Sequence, residues 1–113
     1  MNQRDKLIVK YAEDLRSKFD VEPDMALLKQ VTIGCGPSIY NRDSATVSSS
    51  DESEIERIKT NFLIKKLGLD PSTDFDVPIT SIMATYGKTR RTKYRVVVYY
   101  LLVKQFNKEA IYS

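Results

Sequence analysis

The chain has 113 residues, of which 42% are hydrophobic and 29% are charged, and its formal net charge is +3. This composition is typical of one soluble globular domain, so we expect residues 1–113 to fold as a single unit. The longest apolar run, Val96 to Val103, is much shorter than the roughly 18 residues of a membrane span, and the N-terminus lacks the apolar core of a secretory signal.

Histidine is absent, and cysteine occurs once, at Cys35. The lack of histidine removes the commonest general base and every His-dependent triad, and it leaves too few ligands for a structural zinc site. One cysteine cannot form a disulfide within the chain, which fits a reducing compartment. We therefore expect a cytoplasmic, non-enzymatic protein without a cofactor or metal, in which Cys35 is buried or incidental.

Two amphipathic helices are predicted in the first third of the chain. The first covers residues 3–19, where these apolar residues share one face: Leu7, Ile8, Tyr11, Leu15 and Phe19. Pro23 suits the first position of a shorter second helix, which contains Met25, Leu28 and Val31. The sequence Gly34-Cys35-Gly36-Pro37 should end that helix, and residues 38–50 should form a connection.

The best-signalled helix covers about residues 52–67. Asp51 is the natural N-cap, and Glu54 at the third helical position is spaced to complete a capping box. Its apolar stripe consists of Ile55, Ile58, Phe62, Leu63 and Leu67. Gly68 is predicted to end the helix in a left-handed conformation, and Pro71 prevents its continuation.

Two further helices are predicted after Pro71. One begins near Pro78, carries Ile79, Ile82, Met83 and Tyr86 at helical spacing, and stops at Gly87. The segment from 94 to 106 is ambiguous: its β-branched and aromatic residues favour a strand, but its length and the absence of Gly and Pro favour a helix that ends at Asn107. Because no other segment resembles a strand, we interpret it as a buried helix. The prediction is an all-α bundle of five helices.

Two blocks of the sequence are distinctive in combination. The first contains Asn41-Arg42-Asp43-Ser44, Val47-Ser48, Ser50-Asp51, Asn61-Phe62-Leu63 and Lys65-Lys66-Leu67-Gly68-Leu69, and the second contains Arg95 and Tyr99-Tyr100-Leu101-Leu102. Residues 41–69 and 92–112 thereby resemble a small bacterial family, the domain of unknown function 2853. The resemblance implies an all-helical fold and a bacterial origin, and it implies no activity.

The strongest candidate polar site is Asn41, Arg42, Asp43 and Ser44. In an enzyme or anion-binding site, Arg42 would hold an anion, Asp43 would act as a base and Ser44 as a nucleophile. The competing interpretation is structural, because Asn, Asp and Ser also bond to their own backbone in turns. We favour the structural interpretation and expect these side chains to tie the connection to the bundle.

A second candidate is the basic cluster, which interleaves Tyr94 with these cations: Lys88, Arg90, Arg91, Lys93 and Arg95. Cations around an aromatic ring are typical of nucleic-acid contacts. The alternative is that this segment neutralises the acidic first turn of the helix after Asp51. A net charge of +3 is modest for a nucleic-acid-binding protein.

These features give three hypotheses. The leading one is a helical protein that acts through contacts with itself, as a homodimer, or with another protein, since seven tyrosines suit interfaces. The second is nucleic-acid binding through Lys88–Arg95. The third is an enzyme or anion-binding site at residues 42–44.

Overall fold

Helices account for most of the chain. The computed structural model describes residues 2–48, 50–87 and 92–112. Within these ranges the α-helices are α1 (Gln3–Phe19), α2 (Met25–Cys35), α3 (Arg42–Ala45), α4 (Glu52–Arg57), α5 (Asp76–Tyr86) and α6 (Arg95–Gln105). A π-helix, Ile58–Lys66, continues α4, and short 3-10 helices cover Gly36–Tyr40 and Glu109–Tyr112. The described residues contain no strand, which confirms the all-α prediction.

Side-chain caps explain where several helices begin and end. Asn2, Asp24 and Asp51 accept hydrogen bonds from first-turn backbone N–H groups of α1, α2 and α4. Gly68, at φ 72°, follows the π-helix, and Asn107, at φ 55°, follows α6 in the left-handed conformation. The predicted limits of the first helix, the Asp51 cap and both left-handed stops are therefore confirmed.

The second helix differs from its prediction at both ends. Pro23 is not its first residue, because Asp24 provides the cap by accepting the N–H of Leu27, and Pro23 lies outside the helix. The helix also continues through Cys35 and stops only at Gly36, whose φ is 64°. The connection that follows contains the 3-10 helix and α3 rather than irregular chain alone.

Helix α6 lies at the centre of the bundle, in contact with α1, α2, α3 and α5. The residues buried in it are Val96, Val97, Val98, Tyr100, Leu102 and Val103. A helix that is covered on most sides needs apolar residues all around it, which explains why its sequence shows no hydrophobic period. The predicted buried C-terminal helix is confirmed.

Most tyrosines pack in the interior of the bundle rather than on its surface. Six of the seven are buried or partly buried, and Tyr40 is the exposed one. The hydroxyl of Tyr86 donates to the buried carboxylate of Asp14, and that of Tyr100 accepts the backbone N–H of Asp24 at 2.9 Å. The abundance of tyrosine therefore gives little support to an interface.

Candidate functional site

The predicted polar site lies at the N-terminal end of α3. Asn41 Oδ1 accepts the N–H of Asp43 at 2.9 Å, which caps this short helix. Ser44 Oγ donates to the carbonyl oxygen of Ser38 at 2.9 Å. The hydroxyl hydrogen of Ser44 is thus given to the backbone rather than to a base. Arg42 and Asp43 are exposed to solvent and do not tie the connection to the bundle.

The basic cluster divides into two parts. Lys88, Arg90 and Arg91 lie outside the described residues, so their proposed role stays a prediction. Lys93 is buried, with 3% of its surface exposed, and the side chain of Arg95 is 15% exposed. Neither of these two cations projects into solvent as a phosphate contact requires.

Arg95 instead forms a buried ion pair with Glu54, which is 8% exposed. Its guanidinium also donates to the carbonyl oxygens of Ser44, at 2.8 Å, and Thr46, at 3.4 Å, and to the hydroxyl of Tyr99, at 3.1 Å. Burial opposes the positive charge, but Tyr99 and Glu54 outweigh it and raise the pKa of Arg95. This contact joins the connection, α4 and α6.

Glu54 therefore has a different role from the one predicted. Its carboxylate accepts from Arg95 and from Arg57, at 3.2 Å for the latter, and does not reach back to the Asp51 N–H. The capping-box prediction is wrong, because a partner 41 residues away binds the carboxylate. The alternative prediction, that basic residues of this segment neutralise the first turn after Asp51, is confirmed for Arg95.

The helix that begins at Glu52 widens at Ile58 into a π-helix. The wider spacing is still present at its last bond, in which the Leu67 N–H donates to the Phe62 carbonyl five residues earlier at 2.9 Å. The Gly68 N–H then bonds to the Ile64 carbonyl four residues earlier at 3.0 Å. The predicted helix has the right extent but the wrong hydrogen-bond register over its second half. π-Helical segments are rare and frequently mark functional sites.

A pocket of about 240 Å³ opens beside this segment, and we refer to it as the π-helix pocket. It is lined by Gly34, Cys35, Asn61, Phe62, Lys66, Tyr99 and Tyr112. The rings of Phe62 and Tyr99 stack with centroids 3.8 Å apart and planes 11° apart. Lys66 Nζ lies 5.3 Å from the centroid of the Tyr112 ring.

Burial keeps the thiol and the two tyrosine hydroxyls of the π-helix pocket in their protonated forms. Burial raises the pKa of the Cys35 thiol to about 11, against a smaller opposing effect of Arg95. Burial also raises the pKa of the Tyr112 hydroxyl to about 12 and that of Tyr99 above its ordinary value. At neutral pH the pocket therefore presents hydrogen-bond donors and one ammonium group.

A second concave surface, of about 370 Å³, lies between α4 and α5, and we refer to it as the α5 groove. Its lining consists of Ser50, Ile55, Asp76, Ile79, Thr80, Met83 and Ala84. The floor is apolar. At one end the Asp76 carboxylate contacts Lys59 Nζ at 2.5 Å, and Lys59 also lies 3.6 Å from Glu56. Next to the groove on α5, Val77 is 67% exposed.

Sequence reasoning did not identify either concave surface. In the sequence, Lys66 was notable only as part of the block Lys65-Lys66-Leu67-Gly68-Leu69, and Cys35 was expected to be buried or incidental. One signal for the α5 groove was present: Val77 falls outside the apolar stripe formed by Ile79, Met83 and Tyr86, and an apolar residue off the buried stripe is exposed. The π-helix pocket gave no such local signal, because its residues come from four separate segments.

The described residues offer neither a metal site nor a membrane-spanning helix. No cluster of His, Cys, Asp and Glu suited to holding a metal ion occurs in the ranges 2–48, 50–87 and 92–112. Within the same ranges, no helix combines the length and the apolar character needed to span a membrane.

The fold and these two surfaces define a small all-α protein with a buried C-terminal helix and a π-helical segment. The family model described as "Protein of unknown function (DUF2853)" matches residues 10–110, so the chain belongs to this family. The resemblance seen in residues 41–69 and 92–112 is thereby confirmed, and it extends over nearly the whole chain. Comparison with curated proteins gave no match.

Proposed function

We propose that the protein is a non-enzymatic helical module that acts by binding another protein, with a basic amphipathic helix of that partner lying in the α5 groove. The observation behind this proposal is the exposure of Val77 beside a groove with an apolar floor. The cytoplasmic location and bacterial origin expected from the sequence belong to the same proposal.

The exposed face of α5 suits a partner helix. Val77, Thr80 and Ala84 are spaced at i, i+3 and i+7, so they lie along one side of the helix. Thr80 and Ala84 are small and allow a second helix to approach closely, while Val77 offers an apolar anchor. Met83 in the floor is flexible and adapts to differently shaped apolar side chains. This is the helix-in-groove mode of recognition.

The charges around the groove favour a basic partner. Glu56 and Asp76 share the cation Lys59, which leaves excess negative charge at this end. Glu52 is exposed and lies one turn before Ile55, on the same side of α4 as the groove lining. A Lys or Arg on the partner helix would meet these carboxylates, so association should be fastest at low ionic strength.

The test uses a fluorescently labelled model peptide, a 21-residue amphipathic helix of Leu and Lys, and measures its anisotropy against the full chain. We expect Val77→Ser to weaken binding about fivefold, because the apolar anchor is lost. Val9→Ser is the matched control, since Val9 is an exposed valine on α1 (42%) outside the groove lining. Equal affinities of the two variants, or no binding at low salt, would contradict the proposal.

The same variants separate a foreign partner from a second copy of the chain. Sedimentation should show a 13.0 kDa species at high micromolar concentration. A dimer that Val77→Ser dissociates and Val9→Ser does not would mean that the groove takes another copy of this chain, and it would overturn the assignment to a foreign partner.

A further inference from the structure

We propose that the π-helix pocket is a binding site for a small organic carboxylate that carries one planar ring. This site is separate from the α5 groove, since the two share no lining residue. The proposal rests on three properties of the pocket: a lining that includes Lys66 and no acidic residue, an aromatic wall and a volume that suits a ligand of one ring.

The polar groups of the pocket favour an anion. None of its seven lining residues is acidic, and Lys66 supplies an ammonium group at its edge. The Tyr99 hydroxyl accepts a hydrogen bond from Arg95 Nη1, so its own hydrogen points elsewhere and can be donated to a ligand. The Asn61 amide adds further N–H donors. A carboxylate, which accepts through both oxygens, matches this set.

The apolar part of the pocket favours a flat ring. Phe62, Tyr99 and Tyr112 contribute aromatic surface to the lining, on which a planar ligand can stack or pack edge to face. A volume of about 240 Å³ corresponds to roughly eight water molecules at ~30 Å³ each. This is below the size of drug-like sites, which begin at roughly 300 Å³, so we expect a ligand of one ring and one carboxylate.

Cys35 gives the experiment a built-in reporter. It lies in the pocket lining and is the only cysteine of the chain, so reaction of the folded protein with a thiol-specific disulfide reagent reports on this site alone. A bound ligand covers the thiol and slows the reaction. The rate measured against ligand concentration therefore gives the dissociation constant without any assumed activity.

The probe is benzoate, with acetate and inorganic phosphate as comparison anions. We expect benzoate to protect Cys35 saturably and at lower concentration than acetate or phosphate. Lys66→Gln should weaken benzoate binding about tenfold, because the charged partner of the carboxylate is removed. Lys65→Gln is the matched control: it makes the same change at the neighbouring exposed lysine, outside the pocket lining, and should leave the affinity unchanged.

Three results would overturn the proposal. The first is a Cys35 reaction rate that benzoate does not alter. The second is equal binding of benzoate by the Lys66→Gln and Lys65→Gln variants, which would show that Lys66 does not contact the carboxylate. The third is protection by acetate or phosphate as strong as that by benzoate, which would show that the pocket does not recognise the ring. Val77→Ser should not affect benzoate binding, so this test and the peptide test fail independently.

Discussion

The two halves of the helix from Glu52 to Lys66 are held by different kinds of contact. The first half, α4, is fixed by polar interactions, with Asp51 at its start and the buried Glu54–Arg95 pair along its side. The second half is a π-helix whose Phe62 stacks on Tyr99 of α6. The sequence gives both halves the same helical pattern, so their different registers arise from tertiary contacts.

Each half also faces one of the two concave surfaces. Ile55 of α4 lines the α5 groove, while Asn61, Phe62 and Lys66 of the π-helix line the π-helix pocket. The α-helical half therefore depends on charge and capping, and the π-helical half depends on aromatic packing. Four predictions test this difference, in order of decreasing effect on stability.

The largest effect is expected for Arg95→Ala, which leaves the Glu54 carboxylate buried without its main partner. Removing one member of a buried ion pair costs about 3 kcal/mol or more in the free energy of unfolding, which urea denaturation measures. Arg57→Ala is the control, because Arg57 bonds to the same carboxylate but is mostly exposed, and it should cost less than about 1 kcal/mol. Equal losses of unfolding free energy for Arg95→Ala and Arg57→Ala would show that the buried contact to Glu54 is no stronger than the exposed one.

A smaller loss is expected for Phe62→Leu in the π-helical half. The substitution keeps an apolar side chain but removes the stacking on Tyr99, and it should cost about 1–2 kcal/mol in unfolding free energy. Backbone carbonyl shifts and amide exchange of residues 58–66 would show whether the π register persists. If Phe62→Leu leaves both stability and register unchanged, aromatic packing does not hold this half.

In the α-helical half, the Asp51 cap should make the stability of the protein depend on pH. Hydrogen bonds from the Ser53 hydroxyl and then the Glu54 N–H lower the pKa of Asp51. A depressed pKa in the folded state means that the stabilisation is present above the unfolded value of about 3.9 and is lost as the pH falls through the folded value.

Asp51→Asn keeps an amide oxygen for capping and removes this titration. Its stability should therefore decrease less than that of the wild type as the pH falls below about 4, as urea midpoints at several pH values would show. Parallel decreases in the two proteins would contradict the role assigned to the Asp51 charge.

The last prediction concerns the reactivity of Cys35, with no change in stability at neutral pH. Because burial raises its pKa to about 11 from an ordinary value of 9.0, the thiol should be alkylated more slowly at pH 8 than in the urea-unfolded chain. The rate should increase with pH up to about 11. A rate profile centred near the ordinary value would mean that the pocket is more open to water than the structure indicates.

The sequence predicted those parts of the fold that depend on local interactions. Asp51, Gly68 and Asn107 act within a few residues of their own positions, so the ends that they define could be identified from spacing alone. The unbroken apolar run of α6 also indicated burial. The Glu54 carboxylate was misassigned because capping-box spacing is a local rule, and the contact with Arg95 across 41 residues outweighs it.

The candidate sites were less predictable for the same physical reason. The π-helix pocket combines α2, the π-helix, α6 and the C-terminal 3-10 helix, and no pattern within one segment places Lys66, Tyr99 and Tyr112 together. The π register is equally non-local, because the sequence pattern of residues 58–66 also fits an ordinary α-helix. Residues 41–44 form a conspicuous motif, yet the hydrogen bonds of the Asn41 and Ser44 side chains are local ones that shape the backbone.

The backbone bond between Val47 and Lys93 should protect the connecting segment from local opening. The N–H of Val47 bonds to the carbonyl oxygen of Lys93 at 2.8 Å, beside the carbonyls of Ser44 and Thr46 that Arg95 holds. Amides in loops usually exchange with solvent through small local fluctuations. The Val47 amide can exchange only when the connection separates from the chain at the start of α6. In a hydrogen-exchange experiment it should therefore exchange more slowly than the amides of residues 42 and 43 at the exposed start of α3. The middle of this connection would then resist local opening, while its start would not.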